Sequence, residues 1–195
     1  MVRKFDFIVI GSGLAGMSFA LKVAHKGTVA LICKAGLEEA NTYFAQGGIA
    51  SVTNLAVDNF EKHIEDTMIA GDWISDREAV EKVVRNAPEQ IKELIKWGVN
   101  FDKKEDGEFD LHKEGGHSEF RILHHKDNTG AEIQTSLIEA VKQHPNITVL
   151  TTTMLWKSLP SITRESSLPA IPPASSATVL RAERSDGRGG YLPFQ

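Results

Sequence analysis

The stretch "FDFIVIGSGLAGMSFA", residues 5 to 20, constrains the chain more than any other. Phe5 to Ile10 is a short apolar run, as in parallel strands covered on both faces. It feeds a G-x-G-x-x-G at Gly11, Gly13 and Gly16. The first glycine allows a tight turn, the second lets a phosphate approach the backbone, and the third lets the next helix pack on the strand. That helix is expected from Leu14 to Lys26, with Ala15, Phe19, Ala20, Val23 and Ala24 on its inner face and Gly27 as C-terminal cap. Its N-terminus would offer backbone N–H groups and a partial positive charge to a pyrophosphate. "TVALIC", residues 28 to 33, reads as the second strand. A lone glycine motif is weak, but strand, glycines, helix and strand within about 30 residues make a complete dinucleotide-binding unit.

An acidic residue that would accept hydrogen bonds from a ribose is expected at the end of the second strand. Cys33 and Lys34 stand there instead, and Glu38 and Glu39 come too late unless the loop folds back. The two strands by themselves are compatible with NAD, NADP and FAD.

The 195 residues are enough for one core with a small second lobe. A net charge of −4 gives no basis for nucleic-acid binding or an anionic membrane surface. No apolar stretch reaches the ~20 residues that span a bilayer, and no signal peptide is recognisable. The single cysteine, Cys33, excludes an internal disulfide framework and reads as a buried strand-end residue in a reducing compartment. The expected location is cytoplasmic.

Further along, Asp58 and Glu61 form a capping-box pattern ahead of Phe60, Ile64 and Met68. Residues 76 to 98 carry two helical patterns split by Pro88 and closed by Gly98. "FDKKEDGEFDLH" reads as a hairpin turning at Asp106-Gly107. Thr129 starts a helix with Ile133, Leu137, Ile138 and Val141 inward, and "NITVL" makes a strand. Loop "KAGLEEANTYFAQGGIASV", residues 34 to 52, ends in paired glycines suited to a flat ring, although composition alone favours an ordinary loop. His112, His117, His124 and His125 match none of the usual zinc spacings, so no metal is expected.

Together, "IVIGSGLAGMSFAL", "NTYFAQGGIA" and "EGGHSEFRILHHKDNTG" resemble the succinate dehydrogenase and fumarate reductase flavoprotein superfamily. Within it the likeness is to the L-aspartate oxidases, over residues 5 to about 150. The resemblance implies an α/β fold: a Rossmann-like FAD-binding domain with a βαβ N-terminus, lacking the family's capping domain and C-terminal half. It implies oxidation of L-aspartate to iminosuccinate at the start of NAD biosynthesis, with oxygen or fumarate as electron acceptor and quinolinate synthase downstream. Gly11, Ser12, Gly13, Leu14, Ala15 and Gly16 would hold the FAD pyrophosphate, with Lys34 by the adenosine. Asn41, Thr42, Tyr43, Phe44, Ala45, Gln46, Gly47 and Gly48 would pass along the flavin ring. Membrane-bound relatives carry, in this loop, a histidine that holds FAD covalently; Asn41 cannot form that bond, which implies non-covalent FAD. Glu114 matches a glutamate that orients the aspartate amino group, a pairing unavailable to succinate. His117 and Arg121 would brace the substrate loop or the flavin phosphates. The 195-residue chain is itself expected to be inactive and a poor FAD binder. A non-catalytic nucleotide-binding fragment and a soluble fumarate reductase-like flavoprotein are the competing readings.

Residues 1–150 are thus read as the N-terminal portion of an FAD-binding domain and 151–195 as an aberrant Ser/Pro-rich tail without packed elements. Around Met154 and Trp156 the only codons are ATG and TGG. With Leu155 as CTN, Lys157 as AAR and Ser158 as TCN, reading one base earlier permits Tyr-Ala-Val-Glu-Ile. That is an alternating strand of the kind expected there, so a frameshift near codon 151 is expected.

Overall fold

A computed structural model describes residues 3–151 and 178–181. By internal contacts the chain divides into two compact units, Met1–Asn41 with Ile138–Gln195, and Thr42–Leu137.

The first unit is built on a sheet of order β5-β2-β1-β6. Strands β1 (Phe7–Ile10), β2 (Val29–Cys33) and β5 (Ile147–Thr151) are parallel, Phe7 lying opposite Val29 and Val29 opposite Ile147. Strand β6 (Thr178–Arg181) pairs antiparallel with β1. It falls in the tail for which the sequence reading expected no packed element; the rest of that tail, and the Tyr-Ala-Val-Glu-Ile alternative, lie outside the described residues. Val9, Val29 and Leu31 are fully buried, each such side chain contributing about 1.5–3 kcal/mol.

Helix α1 runs Leu14–Val23, shorter than expected, and its buried face is Gly16, Met17 and Ala20, continued by Ala24 at the cap. Ala15, assigned inward from the sequence, is exposed. The neighbouring Gly16 takes the inward place instead. The C-cap is Ala24, not Gly27. Gly27 instead makes room for a side chain. A Cβ there would lie 2.7 Å from the Asp6 carboxylate, which accepts hydrogen bonds from the backbone N–H and hydroxyl of Thr28. Cys33 is buried, as expected, and its thiol donates weakly to the Leu150 carbonyl. Burial, with the Glu38 charge adding to it, pushes that thiol up from its ordinary value, which keeps it an unreactive thiol.

In the second unit β3 (Ile49–Ala50) and β4 (Ile122–Leu123) pair antiparallel. Helices α2 (Phe60–Ala70) and α3 (Arg77–Lys96) close on each other through Ile64, Met68 and Val84, flanked by Phe60 and Val80. The cap of α2 is Asn59, whose side chain accepts from the Lys62 backbone N–H, rather than Asp58. Asp58 is taken by Arg121, described below. Pro88 does not split α3, which is continuous through it. The ring costs one backbone bond, to the Val84 carbonyl, while Val84, Ile91 and Leu94 keep one buried stripe on both sides of it. Gly98 (φ +99°) ends the helix as foreseen. Its N–H reaches Ile95 O and the Val99 N–H reaches Leu94 O, the paired bonds of a Schellman motif.

The hairpin at Asp106-Gly107 is present as a turn, with Gly107 at φ +86° and Lys103 bridging Phe109. Helix α4 spans Thr129–Gln143, with Ile133, Leu137, Ile138 and Val141 buried as expected. Among the described residues no helix is long and apolar enough to cross a membrane.

Candidate functional site

In the first unit the glycine loop leaves β1 at Gly11, whose φ of +116° only glycine adopts readily. The Gly11 N–H is fixed on Ile32 O at 2.8 Å, so the turn is tied to the second strand. Gly13 is the N-cap of α1 and is extended, with no side-chain cap and no acidic residue in the first turn. A helix start without a capping oxygen or a carboxylate is electrostatically open to an anion. Ser12 is buried, Leu14 half-buried and Ala15 exposed. Lys34, just beyond β2, is exposed, as is Asn41.

In the second unit the segment Thr42–Gly48 is held from below by two glycine contacts. Gly130 comes against the Thr42 and Ala45 carbonyls so closely that a Cβ would collide with both, and its N–H donates to Ala45 O at 3.0 Å. Gly48 packs on Ile122 and the Leu123 carbonyl with the same intolerance. At Gly47, by contrast, a Cβ would meet nothing within 4 Å. The loop is therefore pinned on one side and open on the other, which suits a flat ring laid along its backbone. Tyr43 and Phe44 stand exposed, edge to face at 5.4 Å.

Gln46, Gly47 and Gly48 line a cavity of about 360 Å³ together with Glu114, His112, His124 and Lys126. Sequence reasoning placed Glu114 and the 46–48 loop in different motifs; the structure puts them on one cavity. Glu114 sits on a loop whose ends are joined by His112 and Ile122, each N–H donating to the other's carbonyl. The tip turns through Gly116 (φ +86°), with the His117 N–H on Glu114 O.

Arg121 anchors that loop. It is fully buried, and its Nε and Nη2 donate to the two Asp58 oxygens at 2.8 Å each. Nη1 donates to Asp66, which also accepts from the Ser118 N–H and hydroxyl at 2.7 and 2.8 Å. Burial alone would raise the Asp66 carboxyl, but the Ser118 and Arg121 hydrogen bonds outweigh it and hold the group below its ordinary value. Of the two roles expected for Arg121, the loop brace is the one its geometry performs, since both carboxylates occupy the guanidinium. Asp58 and Asp66 lie 63 and 55 residues from it, and no local pattern announces such partners.

His63 packs beside this network at 5.8 Å from the His117 ring. Burial first, then the Arg121 charge, pushes it down to about 4, so it is neutral at physiological pH.

The glycine turn and the uncapped start of α1 fit a bound dinucleotide, and similarity to known proteins agrees. Residues 6–158 match the FAD binding domain family. The chain is 52% identical over 147 residues to L-aspartate oxidase 2-a, chloroplastic, of Nicotiana tabacum, covering 75% of this chain and 23% of the relative. It is 48% identical over 153 residues to L-aspartate oxidase of Vibrio cholerae, covering 76% and 28%. Among solved structures it resembles a quinol-fumarate reductase with menaquinol molecules (TM-score 0.70, 29% identity, 75% of this chain and 26% of that one). It also resembles Mycobacterium smegmatis Sdh1 in complex with UQ1 (TM-score 0.68, 29% identity, 76% and 27%). The chain spans about a quarter of the length of the curated relatives it matches. With an N-terminal βαβ unit, a glycine turn fixed on the second strand and a match over residues 6–158, it belongs to the FAD binding domain family, whose cofactor is FAD.

Proposed function

We propose that this chain supplies the N-terminal FAD-binding portion of an enzyme that oxidises L-aspartate to iminosuccinate. The observation that carries the reading is the shared cavity of Glu114 and the Gln46–Gly48 loop, in a sequence about half identical to L-aspartate oxidases. In the reaction the substrate loses a hydride from Cα and a proton from nitrogen. FAD, when bound, supplies the two-electron acceptor for that hydride. The residues of this chain orient: Glu114 pairs with the substrate ammonium, and the braced loop fixes where that carboxylate stands. Residues 12–15 hold the pyrophosphate at the start of α1, Lys34 lies by the adenosine, and Asn41 to Gly48 carry the ring. Asn41 leaves the flavin non-covalent. Electrons pass on to oxygen or fumarate, quinolinate synthase takes the product, and the enzyme is cytoplasmic. Residues 1–150 form the domain portion, and residues 151–195 are out of frame; the two relatives above match 147 and 153 residues. Resequencing decides the last point, and an intact frame with early stops in its neighbours would end it.

The test of function is a chimera in which residues 6–150 replace the matching segment of the Nicotiana tabacum relative. L-Aspartate should bleach its flavin anaerobically. A chimera that binds FAD yet stays oxidised under L-aspartate, while succinate reduces it, would reassign the site.

A further inference from the structure

We infer that Asp110, His112 and His124 form a binding site for a divalent transition-metal ion, with zinc the best match. One ligand atom from each of the three lies within 4.8 Å of the other two. Tetrahedral zinc bonds of about 2.0–2.1 Å set such atoms about 3.4 Å apart, so closure needs a shift of about an ångström. His112 can make it, because its side chain is exposed.

An independent observation lies in His124. It is only 8% exposed, yet neither ring nitrogen has a hydrogen-bond partner. A buried polar group left unmade costs about 1–3 kcal/mol, so such a ring calls for an explanation. Its Nε2 lies 3.9 Å from Asp110 Oδ2. Its Nδ1 lies 3.3 Å from Asp102 Oδ2, within ion-pair reach but off the line of a hydrogen bond. This is the layout of a metal-bound histidine: one nitrogen toward the ion, the other toward a carboxylate that orients the ring. Asp102 is itself fixed, accepting from the Lys126 N–H at 2.6 Å. The neighbouring His125 is committed elsewhere, its Nδ1 bonded to Asn100 O at 2.7 Å.

Simple packing offers a rival account, since the His112 and His124 rings stack at 3.6 Å, 23° apart. Stacking explains the contact but leaves both His124 nitrogens unsatisfied. Near-parallel rings direct their in-plane lone pairs side by side, so ligation requires the exposed His112 ring to turn out of the stack. Two imidazoles and one carboxylate favour zinc, copper or nickel over magnesium or calcium, which want more oxygen ligands. The distance along the chain from His112 to His124 hid the site, because the antiparallel bridge at His112 and Ile122 is what brings the two rings together.

The experiment titrates the tag-free 195-residue chain with Zn²⁺ alone by calorimetry, with Co²⁺ as the spectroscopic probe. One equivalent should bind in the micromolar range or tighter, and Co²⁺ should show the intense visible bands of a four-coordinate site. His112→Ala and His124→Ala should each weaken binding by at least about tenfold. Exposed His25→Ala, far from the cluster in the chain, should leave binding unchanged. If His124→Ala fails to fold by circular dichroism, the exposed His112 carries the test alone. Binding weaker than millimolar, or binding that survives His112→Ala, would overturn the site. His112 and His124 also line the cavity that the proposed oxidation uses, and because the titration contains neither flavin nor aspartate its outcome is read independently of that reaction.

Discussion

At the level of single residues, Glu114 and His63 carry the sharpest expectations. In the chimera, Glu114→Gln keeps size and removes charge. A charge-assisted bond is worth about 1.5–3 kcal/mol, or about ten- to a hundredfold in rate. Aspartate oxidation should fall by that factor, while fumarate reduction, whose substrate has no ammonium, should hold. Equal losses in steady-state assays would remove Glu114 from amino-group recognition. His63 governs acid stability. Its folded value is about 4 against an ordinary 6.5, so between those values the unfolded chain binds the extra proton. Stability is therefore full above about 6.5 and declines as pH falls through that window, by about 1.4 kcal/mol per unit where the slope is steepest. Asp66, also depressed, adds loss in the same direction at lower pH. Urea melts of His63→Gln should show a flatter limb between pH 6.5 and 4; an unchanged limb would mean the burial of His63 is not felt.

At the level of elements, caps and close approaches decide where helices stop and where loops lie. Asn59→Ala removes the side-chain cap of α2 and should cost about 1 kcal/mol. Gly98→Ala forces a Cβ into φ +99° although the space beside it is empty, so the loss is backbone strain of order 1–3 kcal/mol. Gly48→Ala is a different kind of change, because it drives a methyl into Ile122 and the Leu123 carbonyl. It should displace the 46–48 loop and weaken FAD binding in the chimera more than it lowers the melting temperature. Flavin fluorescence on dilution reads the first quantity and calorimetry the second; a variant that binds FAD normally would show that the loop does not carry the ring.

At the level of the whole molecule, the proposal that Asn41 leaves FAD non-covalent predicts how the flavin is retained. Heat or acid denaturation of the chimera should release all its flavin to the supernatant, and a fluorescent protein band after denaturing electrophoresis would contradict Asn41 as the deciding residue. Bound FAD should also stabilise the folded protein by mass action, by about 2.7 kcal/mol at a hundredfold excess over its dissociation constant. A melting temperature indifferent to added FAD would mean that the dinucleotide unit is not engaged.

Local chemistry made much of this legible in advance. The apolar run, the three glycines and the alternation that follows are short-range patterns, and they determined β1, β2 and the glycine turn between β1 and α1. Gly98 and Thr129 likewise marked helix ends by their own conformational preferences. Where the reading failed, a distant group had intervened. Asp58 looked like a cap until Arg121, 63 residues away, claimed its carboxylate. Gly27 looked like a helix stop, yet it makes room for Asp6. Pro88 looked like a break, but the buried stripe that continues past it outweighs one missing hydrogen bond. The sequence could name Glu114 and the paired glycines separately. Only the tertiary fold set them on one cavity and turned His112 and His124 face to face, because those distances come from strand pairing and buried charge rather than from spacing along the chain.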